Sequence, residues 1–151
     1  MAQSLARLWT HLIFSTKDRY PLLNDRTVRV QMHAYLATVL RSHDCPAIVV
    51  GGCADHVHAL FVLSRNHAIA EIVKEVKRTS SAWIKTIERR YSKFRWQAGY
   101  GAFSVSQSHL ANVQRYIIGQ EEHHRRKTFQ DEFRAFLKSY EIEYDERYVW
   151  N

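Results

Sequence analysis

The stretch DHVHALFVL, Asp55 to Leu63, reads as a buried strand that opens with two histidines one residue apart. Successive side chains of a strand point to opposite faces, and residues two apart share a face at a separation of about 6.6 Å. His56 and His58 therefore converge on one side of the sheet, where two imidazoles can grip a metal ion. Val57, Ala59, Phe61 and Leu63 face the other way, into core. Taken alone, the pair has two readings: a metal grip, or one buried hydrogen-bonded histidine beside one at a strand edge. Just upstream, AIVVGG (47–52) reads as a short buried strand closed by Gly51 and Gly52, so the two segments are expected to pair antiparallel.

Outward from this hairpin, Leu8 to Ser15 is apolar and aromatic enough for a strand, ended by TKDRYP. Asn24 or Asp25 can cap a helix whose seam is Val28, Met32, Tyr35, Leu36, Val39 and Leu40. Asn66 is expected to cap the next helix, with Ile69, Ile72, Val73, Val76, Trp83, Ile84 and Ile87 on one stripe. The run Thr79 to Ser81 is expected to interrupt it, because these side chains compete for backbone bonds. FRWQ and GAFSVS read as two more strands around Gly99. Ser108 is expected to cap a helix with Leu110, Val113 and Ile117 inward. Gly119 falls inside that helix at a cost of about 1 kcal/mol relative to Ala, a place for another backbone or a DNA strand to approach. Thr128 to Asp131 resembles a capping box for a last helix that turns Phe133, Phe136 and Leu137 inward. The order is β-α-β-β-α-β-β-α-α, an α+β fold in which helices cover an antiparallel sheet, with residues 1–151 as a single domain.

Composition narrows the function classes. The 151 residues are 46% apolar and 25% charged, the balance of a globular chain, with 22 Lys and Arg against 15 Asp and Glu. The basic excess concentrates between Lys74 and Arg95, where Trp83, Tyr91 and Phe94 interleave. Cations alternating with stacking faces suit single-stranded nucleic acid, and Lys74, Lys77, Arg78, Trp83, Arg89 and Arg90 form the candidate DNA-binding patch. The competing reading is a solvated helix face. Two cysteines without CxxC spacing indicate neither a disulfide framework nor a zinc ribbon. The N-terminus lacks the apolar core of a signal peptide, and the runs free of Asp, Glu, Lys, Arg and His, such as Cys45 to Ala54 and Trp96 to Ser108, are short of the ~20 residues that span a bilayer. A soluble, cytoplasmic protein with no membrane partner is expected.

A second pair of chemistry-bearing residues lies in VQRYIIGQEEHH, where Tyr116 and Gln120 stand at i and i+4 on one helix face. The plain alternative is a half-buried tyrosine whose hydroxyl meets a neighbouring amide. His123 and His124 can add a third imidazole to His56 and His58, as in a zinc hydrolase. Against that, HVH is not followed by Asp-His and no Cys or Glu cluster completes a site, so cations near a helix C-terminus are the stronger reading. Asp55 can orient one of the two strand histidines or merely open the strand.

HVH on a strand with Tyr-x-x-x-Gln on a late helix resembles the HUH single-tyrosine transposases of small insertion sequences and their REP-associated relatives. The likeness runs through HLIFSTKDRYPLL, GGCADHVHALFVL, KRTSSAWI, WQAGYGAFSVS and YIIGQEEHHRRKTF. It implies the ferredoxin-like or RRM-like HUH nuclease fold and a DNA transposase that cleaves and rejoins single-stranded hairpin DNA. Tyr116 matches the nucleophile, which would be left as a 5′-phosphotyrosine. His56, His58 and Gln120 match the ligands of a divalent metal, Mg²⁺ or Mn²⁺. A homodimer is implied as well, with docking of the tyrosine helix in cis or in trans left open. Two other classes remain: a single-stranded nucleic-acid-binding protein of the same fold with catalysis unused, and the zinc hydrolase.

Overall fold

Four strands and five α-helices follow one another as β-α-β-β-α-β-α-α-α in the computed structural model, which describes residues 2–151. They are β1 (Trp9–Ser15), α1 (Arg26–Ser42), β2 (Ala47–Gly52), β3 (His56–Val62), α2 (Ile69–Ile87), β4 (Gly101–Ser104), α3 (Leu110–Ile118), α4 (Gln120–His123) and α5 (Phe129–Ser139). The strands form one sheet in the order β2-β3-β1-β4, with every neighbouring pair antiparallel.

Register decides what each face carries. Phe14 lies opposite Val57 and Leu12 opposite Ala59, and these residues join Val28, Met32, Leu36, Ile72, Val73, Val76 and Ile84 of α1 and α2 in the main core. The alternate positions, Ser15 opposite His56, Ile13 opposite His58 and His11 opposite Leu60, look out from the other face. There Ile13 and Phe103 pack with Phe129, Phe133 and Leu137 of α5. One face of the sheet is thus spent on core while the other carries polar groups under a smaller apolar cluster.

Local sequence accounts for most element ends. The Asp25 carboxylate accepts from the backbone N–H of Thr27 (2.9 Å) and Val28 (3.2 Å), and Thr128 Oγ1 accepts from Asp131 N–H (3.2 Å), as the capping patterns imply. Four expectations fail. Asn66 does not cap α2, which begins at Ile69, and its N–H donates instead to Ser64 Oγ in the preceding turn. Thr79 to Ser81 do not interrupt α2, because Thr79 and Ser80 donate to the carbonyls of Glu75 and Val76 one turn back, where they leave the helix ladder intact. FRWQ is not a strand: Trp96 makes a single bridge to Thr16 and is held by packing against Phe14 and Phe94, with its indole N–H donating to Ser80 Oγ. Ser108 does not cap α3, since a short 3-10 turn over Gln107–His109 precedes it and Ser108 Oγ pairs with Ser106 and His109.

Glycines set two close approaches. A Cβ at Gly52 would lie 2.3 Å from the His56 carbonyl oxygen, so the β2–β3 hairpin closes only without one. At Gly51 a Cβ would stand 2.8 Å from the carbonyl oxygen of Ile117, which is where α3 crosses β2. Gly119 has no such role: it ends α3 before α4 restarts, and a Cβ there would have only ordinary contacts, the nearest at 3.4 Å. The close approach expected at Gly119 therefore occurs at Gly51. No helix among the described residues is long and apolar enough to cross a membrane.

Gly51→Ala must push α3 off the sheet and is expected to cost about 1–3 kcal/mol, as overpacking does. Gly119→Ala should be neutral or slightly stabilising. Denaturation midpoints of the two variants, measured side by side, check the assignment.

Candidate active site

The site is built on the outward face of β3. His56 and His58 are fully buried there, and each has its Nδ1 engaged, which aims both Nε2 atoms inward. Asp55 Oδ1 sits 2.6 Å from His56 Nδ1. His11 of β1 places its Nε2 2.8 Å from His58 Nδ1. Partners of this kind fix the ring orientation and the tautomer of a histidine.

Three helices close over the pair. Gln120, at the start of α4, brings its Oε1 to 3.1 Å from His56 Nε2, while its amide nitrogen reaches the Tyr116 carbonyl (3.4 Å) and Glu132 (3.3 Å). Tyr116 of α3 donates its hydroxyl to Glu132 Oε2. Glu132 comes from α5 and is 2% exposed. Its Oε1 lies 3.0 Å from His58 Nε2 and 3.7 Å from His56 Nε2, and its Oε2 lies 3.1 Å from His124 Nε2 and 3.2 Å from His123 Nε2. The ligand atoms of His56, His58, His124 and Glu132 all fall within 4.8 Å of one another, a separation a metal ion can span.

Burial sets the protonation states. It holds His58 neutral, down to about 4, against the opposing pull of Glu132, and holds His11 down to about 3. Burial raises the Glu132 carboxyl, but hydrogen bonds from His124 and His58 outweigh it and keep the group ionised. Burial also pushes the Tyr116 hydroxyl well above its ordinary value, with Glu132 adding to the effect. A carboxylate only accepts, so His58 donates from Nε2–H to Glu132 and accepts at Nδ1 from His11 Nε2–H.

The four residues expected at the site, His56, His58, Tyr116 and Gln120, come together within this chain. Glu132 and His11 carry no local sequence signal of membership, and His123 and His124, read from sequence as helix-end cations rather than a third imidazole, reach the same carboxylate. A cleft of about 370 Å³ between α4 and α5 reaches Tyr116 and Glu132 past His123, Lys127, Phe136 and Tyr140.

Residues 4–120 match the family model described as "Transposase IS200 like". The chain belongs to the IS200-like transposase family. No curated protein matches it in sequence. Among solved structures it is similar to a provisionally assigned transposase from Deinococcus radiodurans R1, at 24% identity and TM-score 0.59, over 80% of this chain and 95% of that one. It is also similar to a REP-associated tyrosine transposase bound to a REP hairpin, at 12% identity and TM-score 0.59, over 82% of this chain and 74% of that one. Both likenesses are of fold, and they bear out the α+β architecture. In this IS200-like transposase, His56, His58, Tyr116 and Gln120 lie inside the matched residues, and Glu132 with all of α5 lies beyond them.

The basic segment is placed elsewhere. α2 covers the core face, so Lys74, Lys77, Arg78, Trp83, Arg89 and Arg90 lie on the opposite side of the sheet from His56 and His58. Lys77 is not a free cation: Nζ donates to the carbonyls of Gln97 (2.7 Å), Ala98 (3.2 Å) and Gly99 (2.8 Å), and burial lowers it to about 8. Trp83 stacks on Tyr35 at 4.7 Å, Arg78 pairs with Glu75, and Arg90 pairs with Asp25 and Glu88. Lys74 and Arg89 stand exposed.

Because His11 and His58 are neutral in the fold and take protons near pH 6.5 when unfolded, the unfolded chain binds more protons below that pH. Stability should therefore fall as pH drops from 6.5 toward 4, by roughly 1.4 kcal/mol per unit for each histidine. Melting curves between pH 7.5 and 4.5 read this directly, and a flat melting temperature would contradict the neutral assignment.

Proposed function

We propose that this IS200-like transposase cleaves and rejoins single-stranded hairpin DNA through a 5′-phosphotyrosine at Tyr116, assisted by a divalent metal at His56, His58 and Gln120. One observation carries the reading: the Tyr116 hydroxyl, both histidine Nε2 atoms and the Gln120 amide surround a single carboxylate at the floor of one cleft.

The donor set fits a cation. The Gln120 amide nitrogen is turned to Tyr116 and Glu132, so its oxygen faces His56 Nε2. With His56 Nδ1–H given to Asp55, two lone-pair atoms then confront each other, an arrangement that a cation satisfies. A bound divalent ion would supply Lewis-acid withdrawal of charge from a scissile phosphate.

The remaining steps belong to the chain. Tyr116 attacks phosphorus, the new O–P bond forms, and the bond from phosphorus to the 3′ oxygen breaks. Glu132 Oε2 stands ready to accept the hydroxyl proton, which returns to the departing 3′ oxygen, so no net proton is consumed. Asp55 and His11 hold the two imidazoles in place. Rejoining reverses the same transfer, so the covalent link conserves the bond energy and no ATP is required. Lys74, Arg78, Arg89 and Arg90 enter as contacts to DNA away from the scissile bond, whereas Lys77 serves the loop it ties down. The homodimer implied by the family resemblance is part of this proposal. Function in the cytoplasm completes the reading.

Incubation with Mn²⁺ and a labelled single-stranded hairpin should yield an SDS-resistant adduct. Tyr116→Phe should reduce it to background while binding stays within about twofold, and chelation or His58→Ala should suppress it. An adduct of equal yield in Tyr116→Phe would remove Tyr116 from its role. A three-histidine zinc hydrolase is the second reading, favoured by His124, whose ring lies 4.3 Å from that of His56. Such an enzyme would be indifferent to Tyr116→Phe.

Lys77→Met should lower the melting temperature and leave the salt dependence of DNA binding unchanged, while Lys74→Ala with Arg89→Ala should flatten that slope by about one to two units.

A further inference from the structure

We propose that the cleft between α4 and α5 is a nucleotide subsite: it takes one unpaired base of the DNA strand against Tyr140, with neighbouring phosphates on Arg126 and Lys127. The inference rests on the reading that Tyr116 attacks single-stranded DNA, and it names the surface that holds the strand beside the scissile bond.

The wall of the cleft is the first argument. Its volume, about 370 Å³, falls in the range of pockets that hold small organic ligands. Tyr116 lines it together with Ala135, Phe136 and Tyr140. Aromatic rings follow one another here from Tyr116 to Phe136, Phe103 and Tyr140, with successive centroids 5.9, 5.2 and 4.8 Å apart. Phe103 is buried, whereas Tyr140 is 41% exposed. The Tyr140 hydroxyl donates to the Ser104 carbonyl of β4 (2.7 Å), so its polar end is spent and its ring orientation is set. What remains for a ligand is a fixed aromatic surface, and every base has a π-face to lay on one.

Charge is the second. A further cavity of about 670 Å³, lined by Gly119, Glu122, His123, Arg126 and Lys127, shares His123 and Lys127 with the cleft. The two make one groove that passes the nucleophile, whose hydroxyl lies 3.3 Å from His123 Nε2. Glu122 takes Arg125 at 2.9 Å, but Arg126 and Lys127 enter no ion pair among the described residues. Uncommitted cations beside an aromatic wall complement a chain that carries phosphates and bases together. An apolar peptide would leave the cations unused, and a free anion would leave the ring unused. The α2 face offers less for stacking, because the Trp83 ring is already covered by Tyr35.

The probes are an oligothymidylate of about eight nucleotides and a chain of equal length without bases, followed by fluorescence anisotropy with a chelator present. Wild-type protein should prefer the oligothymidylate by about tenfold, the scale of one base stacked on an aromatic ring. Tyr140→Leu should cut that preference to about twofold, and Tyr140→Phe, which keeps the ring, should retain it. A merely structural Tyr140 would change melting temperature and leave the preference alone. Arg126→Met with Lys127→Met should weaken both probes alike and lower the salt slope by about one to two units. If Tyr140→Leu fails to fold by circular dichroism, Ala135→Glu carries the test: a carboxylate on the exposed cleft wall should weaken the oligothymidylate at least about fivefold. A full base preference in folded Tyr140→Leu, or wild-type affinity in Ala135→Glu, would overturn the subsite and leave the adduct at Tyr116 standing. Absence of that adduct, with the preference present and lost in Tyr140→Leu, would overturn the covalent reading and keep the subsite. A wild type that does not distinguish the two probes would overturn the subsite outright.

Discussion

A carboxylate taken out of water has to be compensated, and the burial of Glu132 organises this end of the molecule. Five side chains from β3, α3, α4 and the turn after α4 point at its two oxygens. Leaving that charge unpaired would cost several kcal/mol, so α5, which carries it, can seat only when the histidines and Tyr116 are in position. The converse also holds: Tyr116 has little else to fix its hydroxyl. Packing of Phe129, Phe133 and Leu137 on Ile13 and Phe103 supplies the apolar part of the seat, and the C-terminal strap supplies the rest. Arg134 grips Glu146 through two nitrogens, while the carbonyls of Trp150 and Asn151 accept from Gln97 and Gly99.

That seat depends in turn on the sheet register. The β1–β3 pairing places Ile13, which with Phe103 carries the packing of α5, directly opposite His58, and His11 two residues along on the same face. A slip of one residue would send His56 and His58 into the core with Phe14 and Leu12, and the core residues to the site. The main core under α1 and α2 fixes the register, because it is closed by Val57, Ala59 and Phe61 on the alternate positions. The same alternation thus gives stability from one set of side chains and chemistry from the other.

The parts of the site legible in the sequence are those that obey a local period. His56 and His58 follow the two-residue repeat of a strand, and Tyr116 and Gln120 follow the turn of a helix even though Gly119 divides it. Glu132 obeys no such rule with respect to the others. It lies on the first turn of α5, where an acid reads equally well as a favourable charge at a helix N-terminus, and only tertiary packing turns it inward. His11 is hidden in the same way, as one polar residue in an apolar strand. His123 and His124 had the opposite fate: as helix-end cations they had an ordinary explanation, and the fold gives them a buried carboxylate instead. The errors in the fold share a cause with these omissions. Ser80 back-bonds to Val76 within α2 and also accepts from the Trp96 indole, so a contact distant in sequence holds Trp96 where a strand was expected.

The two surfaces suited to a polyanion lie on opposite sides of the sheet, and this separates their tasks. In the proposed reaction a phosphodiester would reach Tyr116 by the cleft between α4 and α5, which Lys127 lines. The α2 face cannot touch that phosphate, because the sheet and the main core stand between them. Positive charge near the nucleophile is also sparse, since Arg29, the buried arginine of α1, is already spent on Glu121 at 2.7 Å and on the Leu23 carbonyl. In the proposed reaction an incoming phosphate meets the ionised carboxylate of Glu132, and a cation among the ligand atoms would offset that repulsion. Under the proposed function a metal would therefore serve the charge of the pocket as well as the phosphate.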